Sequence, residues 1–182
     1  MMILIAVGIA AAVVVIIVLW YIRTGNNFER AQIKIEEARS GIEVALTKRY
    51  DTLTKLLDVT KGYMKHEQET LMQVIRMRSG MTANELTEAN RKMNEVAQQI
   101  QLAVEAYPEL RSSEMFSNLQ HGIADVEEHL QAARRLYNSN VTRFNTMKAI
   151  FPTSIIGRRY DSFEFFQTEE HKRADVEMKF NG

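Results

Sequence analysis

The sequence predicts an all-α protein in which a single N-terminal transmembrane helix continues into a long-helix antiparallel bundle. Three to four helices are expected, with an extended aromatic tail at the C-terminus. Three observations carry this. Residues 1–22 contain no charged side chain. Beyond them, apolar residues recur every seven positions, the spacing of helices packed on helices. Only two prolines and eight glycines punctuate 182 residues, too few for the turns of a β protein. The expected segments are an anchor over 1–22, a helical bundle over 23–151 and a tail over 152–182 that packs partly on the bundle.

The anchor reads MMILIAVGIAAAVVVIIVLWYI. About 20 apolar residues at about 1.5 Å each cross a hydrocarbon core of about 30 Å. Trp20 and Tyr21 close the run, where amphipathic rings favour the headgroup level, and Arg23 follows. A cleaved signal peptide would carry basic residues before its apolar stretch and small residues after it; Tyr-Ile-Arg-Thr follows here. Arg23, Arg30, Lys34 and Arg39 all lie after the run, so the positive-inside rule places the N-terminus outside and the body in the cytoplasm.

The first soluble helix is expected over 28–78, a stretch without proline. Phe28, Ile35 and Ile42 lie seven apart, with Ala31, Ala38 and Ala45 three residues after each. The stripe then shifts by about four residues to Leu46, Tyr50, Leu53, Leu57, Met64 and Leu71, as a stutter in a coiled-coil repeat would. Ser79-Gly80-Met81 should end this helix. Thr82-Ala83-Asn84-Glu85 is a capping box for the next one, a hydroxyl at the N-cap and a carboxylate three residues on. Its seam runs through Leu86, Met93, Ile100 and Tyr107 until Pro108 breaks it. The third helix is the most regular, with Phe116, Ile123, Leu130, Tyr137, Phe144 and Phe151 seven apart. Leu119, Val126, Ala133, Asn140 and Met147 alternate with them, and Pro152 ends the run.

Composition and motifs together exclude most chemistry. Lys and Arg number 23 against 23 Asp and Glu, which lacks the basic excess of a nucleic-acid binder. There is no cysteine, hence no disulfide, catalytic thiol or thiolate metal site. His66-Glu67 opens like a zincin motif, but Thr70 stands where the second histidine is needed. Glu127-Glu128-His129 and Glu169-Glu170-His171 lack the Glu-x-x-His spacing that puts two ligands on one helical face. No glycine-rich phosphate loop or nucleophile elbow occurs. No catalytic residue, metal or cofactor is therefore expected. The polar residues within the helical seams read as structural: Asn140 at a core-type position, with Asn138, Tyr137, Arg134, Arg49 and Asp51, is expected to form a buried network that fixes helix packing.

Several pieces together resemble a known family. Arg49-Tyr50-Asp51 and Tyr63-Met64-Lys65-His66-Glu67 lie on a long helix after the anchor. Tyr107-Pro108-Glu109-Leu110 follows, then Ala133-Arg134-Arg135-Leu136-Tyr137-Asn138, Phe144-Asn145 and a proline-started aromatic tail. In order and spacing this resembles the LemA family of bacterial membrane proteins. That family usually continues its Arg-x-Asp with Leu-Ile-Pro-Asn-Leu, where this chain has Thr52-Leu53-Thr54-Lys55-Leu56. The resemblance implies a helical-bundle body on a single-pass anchor in the inner or cell membrane, and no enzyme.

Helix lengths then shape an expected mechanism. Residues 28–78 would extend about 75 Å, 83–106 about 36 Å and 114–150 about 55 Å. With short antiparallel connections, the second helix would cover only the distal half of the first. The stripe of Phe28, Ala31, Ile35, Ala38, Ile42 and Ala45 would be left without an intrachain partner and would need a second subunit, a fold-back at Ser40-Gly41 or the membrane surface. The expected function is a non-enzymatic oligomeric scaffold in contact with membrane lipid and self-associating through that stripe. A regulatory or sensory adaptor that binds a partner protein is the alternative.

Overall fold

The computed structural model describes residues 1–60, 75 and 77–166. These form five helical segments and, among the described residues, no strand: α1 (Met2–Thr60), α2 (Ala83–Ala106), α3 (Pro108–Arg111), α4 (Glu114–Ala149) and α5 (Ser154–Gly157). The all-α class follows from the sequence features above. Met64, Leu71, the Tyr63–Glu67 motif with His66, and Glu169-Glu170-His171 lie outside the described residues.

α1 is one helix of 59 residues. Its apolar first third is exposed along its length, from Ile3 to Val18 and on to Ile22, and is long and apolar enough to cross a membrane. The helix continues without a break through Ser40-Gly41, so the chain does not fold back there. The helical run expected to reach Arg78 is not continuous: Met77 and Arg78 are non-helical, and Ser79-Gly80 turns with Gly80 in the left-handed region at φ 77°.

α2 opens on the expected capping box. The Glu85 backbone N–H donates to Thr82 Oγ1 at 3.3 Å, and the Thr82 N–H donates to Glu85 Oε2 at 2.8 Å. Those donors from Thr82, backbone first and hydroxyl second, hold the Glu85 carboxyl below its usual range, with Arg78 adding to the effect.

Helix directions follow from side-chain pairs. Arg39 Nη1 donates to the Met81 carbonyl, Arg49 reaches Asn90 and Asn94, and Leu53 and Leu56 lie beside Ala97 and Ile100. Each partner lies 41–45 positions further along the chain, so α2 runs parallel to α1. This corrects the expectation that the second helix doubles straight back. The reason is length: with α1 described to Thr60, the chain has 22 residues before Ala83 in which to recover about 30 Å of helix, well within its extended reach.

α4 is antiparallel to both. Gln120 Nε2 meets Gln101 Oε1 on α2, and Lys55 and Asp58 on α1 line one cleft with Glu114, Met115, Asn118 and Leu119. Further along, Arg49 pairs with Glu127 and Ala45 lies by Val126.

The chain clusters into two compact units. One comprises Met1–Glu37 with Asn138–Glu164, the other Ala38–Tyr137 with the segment from Phe165 onward. In the first, Asn140 meets Lys34 and Phe144 meets Phe28, again an antiparallel pairing. α5 closes this unit. Gly157 is buried against α4, where a Cβ would lie 2.8 Å from Lys148 Cα, so only glycine permits the approach.

Candidate functional site: a buried arginine node and an aromatic clasp

Arg49 is 4% exposed, in the middle of α1. A buried guanidinium must find acceptors for its donors. Asn90 and Asn94 supply two of them from one face of α2, four residues apart: Nη1 donates to Asn90 Oδ1 at 2.6 Å and Nη2 to Asn94 Oδ1 at 2.7 Å. The Glu127 carboxylate on α4 pairs with Nη2, and the Asn90 carbonyl adds a longer contact at 3.4 Å. One cation thus ties three helices. Leu46, Leu53, Leu86, Met93 and Leu130 are buried in the same unit.

The expected polar network is therefore redistributed. Arg49 belongs to a buried cluster, but Asp51 is exposed two positions further along the helix, where its side chain turns about 200° away. Arg134 stands over the Phe166 ring, 4.8 Å from its centroid, in a cation–π contact. Tyr137 is buried and Asn138 half-buried. Asn140 is half-buried, and its amide donates to the Lys34 carbonyl at 3.0 Å. Asn90 and Asn94 are not among the residues expected at the site, and Glu127 enters the sequence reading only within Glu127-Glu128-His129. Their signal was present: Asn90 and Asn94 lie one turn apart beside Leu86, Ala89 and Met93, a polar pair against an apolar seam.

The second feature is an aromatic clasp. Phe28 meets Phe144 edge-on at 5.6 Å and stacks on Tyr160 at 4.9 Å, while Phe163 meets Phe144 edge-on at 5.0 Å. Asn145 fixes the strap that carries Phe163 by a reciprocal pair, donating to the Phe163 carbonyl at 3.0 Å and accepting its N–H at 3.2 Å. Tyr160 Oη donates to Glu29 Oε1 at 2.9 Å. Burial, and then that bond to a carboxylate, push the Tyr160 phenol above its ordinary pKa.

The clasp corrects the reading of the juxtamembrane stripe. Phe28, Ala31, Ile35, Ala38, Ile42 and Ala45 are all buried inside the single chain. Phe144 and Tyr160 cover Phe28, and α4 passes beside Ala31 and Ala45. These six residues thus cannot serve as a free subunit interface. α4 returns further along α1 than short antiparallel steps would allow, because α2 does not consume its length.

Of the residues expected at the membrane interface, Tyr21 and Arg23 are exposed and Trp20 half-buried. Tyr21 Oη accepts a bond from Arg159 Nη1 at 2.7 Å. Beyond them, Asn27, Arg30, Lys34, Asn140 and Arg143 line a small cavity of about 210 Å³. Glu127 is engaged by Arg49, while Glu128 and His129 face solvent.

These arrangements fix helices against one another. Residues 38–180 match the model of the LemA family. Protein LemA of Metamycoplasma hominis is 27% identical over 164 residues, spanning 86% of this chain and 75% of that protein. The Arg49 node and most of the bundle fall within the matched region. With the family model covering most of its length, the chain belongs to the LemA family.

Proposed function

We propose that the chain is a non-enzymatic scaffold anchored in the bacterial inner or cell membrane, with residues 1–22 as a single span. The observation that supports this reading is the continuity of α1. One uninterrupted helix is bare and apolar over its first third and forms the packed core of the body over the rest. A span that continues as the central helix of the body suits a structural component. Arg23, Arg30 and Lys34 are exposed just beyond the span, which supports a cytoplasmic body.

Self-association remains part of the proposal, but it must use surfaces other than the Phe28–Ala45 stripe. Light scattering on the detergent-solubilised protein tests it. A scaffold is expected to run as a large, homogeneous homo-oligomer. A monomer or dimer with a distinct co-purifying protein would favour the adaptor reading, which the same continuous helix also suits as a path for a signal.

A further inference from the structure

We propose that the turn joining α4 to α5, together with the first residues of α5 (150–155), is a second membrane contact. In this view it is an apolar wedge seated in the interfacial layer of an anionic bilayer, beside the end of the span. The inference rests on the reading of residues 1–22 as a membrane span.

Register sets the level of the turn. Facing residues on α1 and α4 have numbers that sum to 172 for Phe28 with Phe144 and 174 for Lys34 with Asn140. Ile150 therefore comes level with about residues 22 to 24, where the apolar run ends. The bond from Arg159 to Tyr21 places the far side of the turn at the same level independently.

At that level the turn offers what an interfacial layer takes up. Phe151 is 81% exposed, Ile155 57% and Ile150 53%. They are not loose ends. Thr153 Oγ1 reaches the carbonyls of Met147 at 2.6 Å and Ile150 at 3.0 Å, Ile156 is buried, and Gly157 is pressed against Lys148. The turn is thus braced with three large apolar side chains facing outward, a costly arrangement in water. Charge fits the same occupant. Arg23, level with the turn by the same register, and Arg158, three positions after Ile155, are both exposed, a pattern suited to anionic headgroups.

Trp20 is the sole tryptophan, so depth can be read by fluorescence. The full chain is reconstituted into vesicles of phosphatidylcholine and phosphatidylglycerol carrying brominated acyl chains. Wild type reports on Trp20, and the Trp20→Phe/Phe151→Trp variant reports on the turn. Trp20→Phe/Ser117→Trp serves as the control in the body. The wedge predicts blue-shifted emission at position 151, quenched about as strongly as Trp20, with position 117 unquenched. Quenching of Trp20 but not of position 151 would overturn the wedge and leave the anchor standing, as it would if a second copy of the chain covered the turn. Absence of quenching at both would overturn the anchor, and the wedge with it.

Discussion

Arg49 sits where three helices meet, and its neighbours are acceptors from two of them. Replacing it by alanine removes charge-assisted bonds to Asn90 and Asn94 and strands the half-exposed Glu127. A loss of about 2–3 kcal/mol is expected, whereas Asp51→Ala at its exposed site should stay within about 0.5 kcal/mol. Urea unfolding of the detergent-solubilised chain, followed by circular dichroism, compares the two. Tyr160 supplies a pH test. Its phenol is held protonated above the ordinary value near 10, so folding binds the proton more tightly than the unfolded chain does. The contribution is complete below pH 10 and is lost as pH rises through the folded-state value. Wild type should therefore lose stability more steeply than Tyr160→Phe above pH 10, and parallel slopes would contradict the assignment. Arg49 and Tyr137 could be read from the sequence as members of a structural polar network because they interrupt or complete apolar seams. The partners of Arg49 could not, since they depend on which face of α2 meets α1, a matter of helix direction that no local pattern encodes.

Helix existence was legible because each helix carries its own signals. The capping box at Thr82-Glu85 and the seam of Phe116, Leu130, Tyr137 and Phe144 are local features, and all four seam residues are buried. Phe151 continues that spacing but falls past the end of α4 and is exposed, so periodicity alone overran the helix by one step. Helix direction was not legible, because it depends on which faces of α1 and α2 meet and not on a local pattern. Two glycines test the elements directly. Gly41 lies in an exposed, helical part of α1 with open space around it, so Gly41→Ala should stabilise by about 0.5–1 kcal/mol. Gly157→Ala drives a methyl into the backbone of α4 at Lys148 and should cost about 1–3 kcal/mol. Thermal melts of the two variants are expected to move in opposite directions. The stripe gives a third test at this scale. Ile35→Ala or Ile42→Ala should cost about 2–4 kcal/mol as core truncations, with no change of mass in light scattering. A mass change without loss of stability would return the stripe to a subunit interface.

At the scale of the whole molecule, the proposed function requires one helix to serve two solvents. The same 59 residues are bare and apolar at one end and packed beneath α2 and α4 at the other. Scaffold, topology and membrane wedge all depend on the first third of that helix lying in lipid. Because the chain has no cysteine, single cysteines can report on it without interference. A cysteine at Ser117, exposed on the body, should be shielded from an impermeant reagent in intact cells and labelled after permeabilisation if the body is cytoplasmic. The most direct measurement scans α1 itself. Single cysteines at Ile9, Val14, Asn26 and Glu36, all exposed on the isolated chain, are treated with a water-soluble maleimide in open native membranes. Positions 9 and 14 should resist labelling while 26 and 36 label readily. Equal labelling at all four would mean that the apolar third of α1 does not lie in the membrane.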